Sequence, residues 1–543
     1  MQTWLKLLSF VSASLSVAGC SSLKPQPVTL HEVAEITRAD GQALQRDVVP
    51  LSGPLRLEEA IARAIKYNAD RRLRRMDEAL AFDGMDAARY DMLPRLVANA
   101  GYRHRNNDLL TLSKDLETGD VIGGETISSS REATSTDLTL SWSLLDFGQS
   151  YYAARQSADR FLIATERSRR ATHLLVQDVR TAFWRVAAAQ KLAAELKQAT
   201  QLGEDALSDA RKIESEGLRS PLEPLRYQRQ LLENLRLLEL VDQELSVARI
   251  ELAQLINAPR GVPLTVVEPD AALNTTWLQV PVEQLEEQAL VRNAELRESV
   301  YNARIARLET RRAMLRMFPG LSFNYAVRHS DDRYLINQSW NETGVQLSLN
   351  LLGLLSAPVQ QRMAEAGVQL ADHKRMSMQM AVLSQLHVAR LQYANAIRQY
   401  ERADSIAQVD ARIARHVANQ EAAARQSQLE RIAQQTAAIL SQLRRYQTLS
   451  NVQAAASKLQ ATLGLEPVIE GADSLPIDEL TRRVATALQA WDAASLPELK
   501  DSGEPPSPKR PDIGTTPAPA SQAQAPTPEP GTRSAGVRVG PPT

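Results

Sequence analysis

Residues 137–144, DLTLSWSL, alternate without a break. Leu138, Leu140, Trp142 and Leu144 share one face, and Asp137, Thr139, Ser141 and Ser143 share the other. This is the period of a β-strand with one apolar side. The pattern returns 207 residues later, where Val345, Leu347, Leu349 and Leu351 alternate with Gln346, Ser348 and Asn350. Each of these strands follows another. Leu96, Ala98, Ala100 and Tyr102 oppose Val97, Asn99, Gly101 and Arg103; Leu321, Phe323, Tyr325 and Val327 oppose Ser322, Asn324, Ala326 and Arg328. Two arrangements satisfy such strands: a small sandwich with its apolar face buried, or a membrane barrel with that face toward lipid and the polar face toward water. Length suits the barrel, whose strands need about 9–11 residues. The aromatics Tyr102, Trp142, Phe147, Tyr325 and Trp340 lie near strand ends or on the apolar face, as an interfacial girdle would. Four strands cannot close a barrel, and open sheet edges are not tolerated in lipid. The membrane reading therefore requires several chains to share one barrel.

The recurrence extends along the chain. Asn68-Ala69-Asp70 matches Asn293-Ala294-Glu295, and Pro94-Arg95-Leu96 matches Pro319-Gly320-Leu321, both at an offset of 225. Beyond the next loop the offset is 207: Leu138-Thr139-Leu140-Ser141 matches Val345-Gln346-Leu347-Ser348, and Ser220-Pro221-Leu222-Glu223 matches Ser427-Gln428-Leu429-Glu430. The period is far longer than that of a solenoid, so the chain is a duplicated domain.

Each copy reads helix, strand, loop, strand, very long helix, helix. A first helix is expected from about Leu55 to Leu93, ended by Pro94. No proline interrupts Gln149 to Glu216, about 70 residues, which as a helix would span about 105 Å. The return, Pro221 to Ile256, and the first helix together match that length. In the second copy no proline occurs between Pro358 and Pro467, leaving room for a long helix to about Arg425 and a return from Gln428 to Leu463. Leu231, Leu238, Val241, Leu245, Ala248, Leu252 and Leu255 form a coiled-coil seam.

Composition excludes other classes. The 543 residues are 43% hydrophobic and 23% charged, which excludes wholesale disorder. Lys+Arg (63) nearly equals Asp+Glu (64), so no net field draws nucleic acid. A single cysteine excludes an internal disulfide and Cys-based metal centres. The histidines are scattered, and no HExxH, phosphate-loop or GxSxG pattern occurs. Acidic pairs such as Glu58-Glu59 sit in helix openings, where they favour the dipole. No enzyme, metal or cofactor is expected.

The lone cysteine belongs to the start of the chain. Lys6 precedes an apolar run, Leu7 to Val17, too short to span a bilayer but long enough for a signal-peptide core. It ends in Val17-Ala18-Gly19-Cys20. This resembles a bacterial lipoprotein signal, with Cys20 acylated and made the new N-terminus; an ordinary signal with a stray cysteine is the alternative. Ser21 is not Asp, so by that resemblance no inner-membrane retention signal is present, and acyl chains would hold the protein at the outer membrane.

From about Leu55 to Leu465 the chain resembles the TolC-type outer-membrane efflux proteins. The resemblance rests on the duplicated layout, the helix opening LRLEEAIARAIKYNAD, the helix-to-strand step MLPRLVANAGY, the strand-to-helix step LSWSLLDFGQ and the hairpin tip ESEGLRSPLEPLRYQRQ. It implies a mainly α fold with a membrane β-barrel: a homotrimer in which each chain gives four strands to a twelve-stranded barrel, continued into the periplasm by a helical coiled-coil barrel. Such proteins are passive exit ducts of tripartite efflux or secretion systems. They dock to a periplasmic adaptor (membrane fusion protein) and an inner-membrane transporter.

Function would then lie in surfaces. At the first tip Gly217 suits a tight turn, and Ser220, Pro221 and Glu223 form a capping box that any helical hairpin would use. By resemblance the tips, Gly217, Leu218, Arg219 and Ser220 in one copy and Arg425 and Ser427 in the other, also contact the adaptor. The second tip has no glycine. Glu430 matches the first of the acidic gate positions that follow the family's second tip; the second position is the uncharged Ala433, and Glu223 is the first-copy equivalent of Glu430. A capping role for Glu430 beside Ser427 is the alternative. Asn99, Arg103, Asn324 and Arg328 would line the lumen. A periplasmic coiled-coil scaffold lipoprotein without a pore is the competing reading.

The expected organisation is a signal peptide at 1–19, an extended segment at 20–54, the first repeat at 55–256, a linker at 257–281 and the second repeat at 282–465. An equatorial segment with a short amphipathic helix follows at 466–499, then a tail at 500–543 that holds eleven of the 27 prolines. The polar loop from Asn106 to Ser135 should face the cell exterior.

Overall fold

A computed structural model describes residues 27–215, 222–259, 261–262, 264–268, 273–423, 427–465, 469, 471–497 and 510–511, without the side chains of Glu223 and Pro224. In chain order the elements are α1 (Leu30–Gln45), α2 (Leu57–Tyr67), α3 (Ala69–Tyr90), β1 (Arg95–His104), β2 (Leu110–Lys114), β3 (Val121–Ile127), β4 (Glu132–Ser143), α4 (Leu144–Ser215) and α5 (Leu222–Leu255). The second copy supplies α6 (Val282–Arg292), α7 (Ala294–Leu315), β5 (Gly320–Ser330), β6 (Ser339–Ser348), α8 (Leu351–Ala422) and α9 (Gln428–Leu463), followed by α10 (Ile477–Asp492).

The long helices α4 and α8 have 72 residues each, a rise of about 108 Å. Ser143 opens α4 by accepting a hydrogen bond from the Asp146 amide at 3.2 Å. Asn350 opens α8 in the same way, accepting from Gly353 at 2.9 Å. Pro358 lies inside α8 rather than before it. As the eighth residue of the helix it lies past the four partnerless amides of the first turn, so it removes the one amide that would bond the Leu354 carbonyl.

The first helix of each copy is two helices, not one. The break falls at Asn68 and again at Asn293, both with extended ψ (128° and 126°). Asn68 caps α3 by accepting from the Arg71 amide, and its Nδ2 donates to the Leu255 carbonyl at 3.1 Å. Asn293 caps α7 through Glu295 and Leu296, and its Nδ2 donates to the Thr462 carbonyl at 3.1 Å. One asparagine thus satisfies the orphan amides of one helix and the orphan carbonyl of another.

The returning helices end in a left-handed residue at equivalent places, Asn257 (φ 52°) and Gly464 (φ 66°). A Cβ on Gly464 would stand 2.4 Å from the Arg292 carbonyl oxygen, so only glycine fits there. Asn257 instead uses its side chain. It donates to the Leu44 carbonyl at 2.9 Å and accepts from Gln45 Nε2 at 3.0 Å.

That contact holds α1, a helix where an extended segment was expected. Thr29 caps it, accepting from the Glu32 amide. Its apolar side chains are exposed, Val33 and Ile36 among them. The loop expected from Asn106 to Ser135 contains the β2–β3 hairpin.

The main sheet has the order β1-β4-β5-β6, antiparallel throughout. Its two edges, β1 and β6, are unpaired among the described residues. The strands run 10 to 12 residues, and β1 is exposed along its whole length. At the helix end of the sheet Trp142 meets Phe147 edge-on (5.8 Å) and stacks on Phe323 (6.5 Å).

The core lies at the middle of the rods, where α2, α10 and the inter-repeat linker wrap α4, α8 and α9. Trp277 stacks on Trp491 at 4.0 Å and donates its indole N–H to the Trp491 carbonyl at 2.8 Å. Arg180 is buried there and donates to Ser457 Oγ at 3.1 Å. Burial pulls its guanidinium down to about 10, so it stays charged at neutral pH. In the α5 seam Leu231, Leu238, Val241, Leu245, Ala248 and Leu252 are buried, and Leu255 is half-buried against the same core.

Candidate functional site

The rods present three places where function can reside: the sheet, the outer loops at its far end and the helical tips. On the sheet the polar face carries a row of partnered charges. Asn99 donates to Asp137 at 2.9 Å across the β1–β4 pair. Asp137 lies opposite Arg328 in the β4–β5 register, and Arg328 meets Glu342 at 3.3 Å. Asn324 folds over Gly344, whose position would bring a Cβ within 2.4 Å of the amide oxygen. Of the expected lumen residues, Asn99, Asn324 and Arg328 therefore sit on one polar face, with Arg328 balanced by carboxylates.

The outer loops of the two copies are tied together by Asp332. Its carboxylate accepts from the Ser130 amide (2.9 Å) and hydroxyl (2.7 Å) and from the Tyr334 amide (3.2 Å), with Arg103 at 3.5 Å. These bonds to the charged form, that of the Ser130 amide foremost, hold the carboxyl down to about 2. Arg131 closes on Asp108 nearby, with Nε 2.7 Å from Oδ1. The sequence held no cue for Asp332, because its partner lies in the other copy.

At the tips, Gly217, Leu218, Arg219, Ser220 and Arg425 lie outside the described residues, as does Cys20. Glu223 is within α5, and its side chain is not described. Ser427 is the N-cap of α9, accepting from the Glu430 amide at 3.2 Å. The Glu430 carboxylate accepts from Gln434 at 2.9 Å and is half-buried. Arg431 pairs with Glu421 at 2.9 Å, across the second hairpin. Gln228 donates to Glu214 at 2.6 Å across the first.

One tip residue escaped the sequence reading. Ile432 of α9 is 1% exposed and sits in a cluster with Ala206, Leu207, Ala210, Leu231 and Leu235 of the first hairpin. Near the tips the two hairpins are thus joined by apolar packing. A single isoleucine beside a capping residue carries no sequence signal of an inter-repeat contact. Higher up, Tyr446 donates to Glu268 at 2.8 Å, and Arg445 lies over the Tyr400 and Tyr446 rings while pairing with Asp404. Burial raises the Tyr446 hydroxyl above its ordinary range.

Among the described residues no helix is long and apolar enough to cross a membrane, and no group of three or more His, Cys, Asp or Glu could hold a metal ion.

The geometry defines a class: a duplicated chain of long helical rods that end in an open four-stranded sheet. Residues 61–258 match the family model described as outer membrane efflux protein. No curated protein sequence matches the chain. Among solved structures the fold is similar to that of the outer-membrane channel OprN, with TM-score 0.58 and 15% identity over 75% of this chain and 89% of that one. It is also similar to the Campylobacter jejuni CmeC outer membrane channel (TM-score 0.57, 13% identity, 79% of this chain and 89% of that one). The open state of the Neisseria gonorrhoeae MtrE outer membrane channel gives 0.54 and 15% identity, over 75% of this chain and 90% of that one. The chain has the TolC-type outer-membrane efflux protein fold and carries that family's sequence pattern over 61–258.

Proposed function

We propose that the protein is a trimeric outer-membrane channel, the passive exit duct of a tripartite efflux or secretion system. One observation carries the reading: a four-stranded antiparallel sheet with both edges open and its apolar face exposed stands at the end of two 72-residue rods. Open edges in lipid must be paired, so the sheet must be closed by further copies. With β1 and β6 running in opposite directions, each copy can pair with the next, and three copies give twelve strands.

On this reading Leu96, Leu138, Leu140, Val345 and Leu347 face lipid, and the row of Asn99, Asp137 and Arg328 faces the lumen. Cys20 carries the lipid anchor. The tips around Gly217 to Ser220 and Arg425 to Ser427 dock the periplasmic adaptor and, through it, an inner-membrane transporter. Glu430, with Glu223 as its counterpart, lines the periplasmic gate, where a threefold set of carboxylates would favour cations.

The native mass of the protein extracted in detergent from outer-membrane fractions tests this. A stable particle of three chains, with conductance in planar bilayers, is expected. A particle without trimers, or a trimer that conducts nothing, would leave the scaffold lipoprotein as the reading.

A further inference from the structure

Hairpin β2–β3 has two unlike faces. The register pairs Leu110 with Ile127 and Lys114 with Val121, so Leu110, Leu112, Val121 and Ile127 lie together on one face, with Lys114 at its tip end. Thr111 pairs with Thr126 on the opposite face, and Ser113 with Ile122. Leu110, Leu112 and Val121 are 52%, 59% and 51% exposed. A two-stranded hairpin is marginal alone in water, and one with a bare apolar face more so.

Lipid tails do not reach this face. The apolar face of the sheet carries Trp142 and Phe323 by the helices and Tyr102 at the far end, whereas Trp340, opposite Arg328, stands on the polar face. Interfacial aromatics mark the edges of a barrel's apolar band, about 25 Å tall. The ten residues of β1, tilted as barrel strands are, fill that band. The hairpin starts six residues beyond His104, past Tyr102 and the end of the band, where the surroundings are polar.

A matching apolar surface exists on the other edge of the sheet. The β5–β6 loop, residues 331–338, exposes Leu335 (41%) and Ile336 (99%). It is held in shape by Asp332, which bonds Ser130 and the Tyr334 amide and accepts from Leu335 N through its own carbonyl at 3.0 Å. The sheet order places β1, which leads into the hairpin, at one edge and β6, which follows the loop, at the other. In a barrel closed by copies, β1 of one protomer lies beside β6 of the next. The bare hairpin and the bare loop then arrive at one seam, at the same height above the membrane.

We infer that the apolar face of hairpin β2–β3 is covered by the β5–β6 loop of the adjacent copy, with Leu335 and Ile336 against Leu110 and Leu112, so that three such contacts form a collar outside the barrel. This rests on the trimeric reading above. The collar adds an interface that the strands alone do not supply, and it stiffens the outer mouth.

The test is a double variant, Leu112→Cys with Ile336→Cys, treated with a short bifunctional maleimide on the assembled particle. Cys20 is the only native cysteine. The expected result is a shift on denaturing gels to bands of two and three chains, absent from either single variant. A band of one chain with altered mobility, meaning a link within a chain, would overturn the inference. So would the absence of any link in a particle that is still trimeric. Labelling of the single Leu112→Cys variant by a membrane-impermeant maleimide supplies a second readout. Free labelling overturns the collar, and so does protection that is lost on removing lipid, whereas protection that persists in detergent supports it. If the double variant does not assemble, Leu110→Cys with Leu335→Cys replaces it. A wild-type protein that is not trimeric would instead defeat the channel reading.

Discussion

Asp332 accepts hydrogen bonds from both the amide and the hydroxyl of Ser130, at 2.9 and 2.7 Å, joining the outer loop of one copy to that of the other. Hydrogen bonds to a charged group are worth about 1.5–3 kcal/mol each, against about 1 for neutral pairs. Asp332→Ala should therefore release both loops without altering the sheet. Amide exchange at Ser130 and Tyr334 should accelerate by roughly 10–100-fold, the factor that about 1.4–2.8 kcal/mol corresponds to, while exchange in β1 and β4 stays as in wild type. Acid should act likewise. The carboxyl is held near 2, below its ordinary 3.8, so its contribution is complete above about pH 4 and is lost as pH falls through about 2. Exchange at these amides that is unchanged in the variant would show that the lock contributes nothing.

The two asparagine joints offer a test of the duplication. Asn68 and Asn293 each cap one helix and hold the last turn of another. Loss of a cap alone costs about 1 kcal/mol. Asn68→Asp keeps the cap acceptor and removes the Nδ2 donor; Asn68→Ala removes both. The alanine variant should be the less stable by about 1 kcal/mol in thermal unfolding, and the same order should hold at Asn293. Because the joints share no partners, the double alanine variant should show the sum of the two losses. Equal stability of Asp and Ala at either site would mean that the cap is not what the asparagine supplies.

Much of this fold was legible because it is written twice. The offsets of 225 and 207 located the strand pairs, and the proline-free spans located α4 and α9. The Asn68 and Asn293 matches marked the joints before their role was apparent. An extended ψ at one residue leaves the flanking helical periodicity intact, so α2 and α3 read as one helix. The segment of α1 docks through its last residues, Leu44 and Gln45, to Asn257 more than 200 positions away, which no local pattern reveals. Asn257 and Gly464 carry different residues at one backbone geometry for the same reason: the first copy has α1 to hold and the second has the Arg292 carbonyl to avoid. At the tips the capping pattern of Ser427 was readable, whereas the insertion of Ile432 between α4 and α5 depends on how the copies meet.

A polar ladder joins α4 to α7, and its geometry allows a prediction with a sign. Asp159 pairs with Arg304 (Nε at 2.7 Å), and Glu166 pairs with Arg297 at 2.6 Å, one heptad apart on antiparallel helices. Both carboxylates are buried. Glu166 has a second partner in Arg169, at 2.6 Å. Breaking a buried pair from one side costs about 3–5 kcal/mol, whereas replacing both partners with apolar residues is often neutral. Arg304→Met should therefore destabilise strongly, Arg297→Met less so because Arg169 remains, and Asp159→Leu with Arg304→Met should recover most of the loss. Thermal unfolding of the detergent-solubilised particle measures all three. A double variant no better than Arg304→Met would show that the pair fixes the register of these helices rather than merely satisfying a charge.

The apolar cluster at the tips makes a separate prediction for opening. Ile432 is the only residue of α9 among the buried members of its cluster, the others being Ala206, Leu207, Ala210, Leu231 and Leu235 of the first hairpin, with Leu429 half-buried beside them. Truncating a buried isoleucine to alanine costs about 2–5 kcal/mol. The middle of the rods is held independently by Gln447 on Glu244 (2.8 Å), Ser450 on the Thr181 carbonyl (3.2 Å) and Arg180 on Ser457. The loss from Ile432→Ala should therefore appear as local separation of the second hairpin from the first rather than as global unfolding. In planar bilayers the variant should conduct more than wild type, and Ile432→Asp more still, because a carboxylate cannot remain in that cluster unpaired. Ile432→Val, which keeps most of the volume, should behave nearly as wild type. A polar latch at the tips would give a different pattern: Arg431→Ala, which removes the 2.9 Å pair with Glu421, would raise conductance while Ile432→Ala left it unchanged. That outcome would place the closing contact within the second hairpin and defeat the apolar one between the copies.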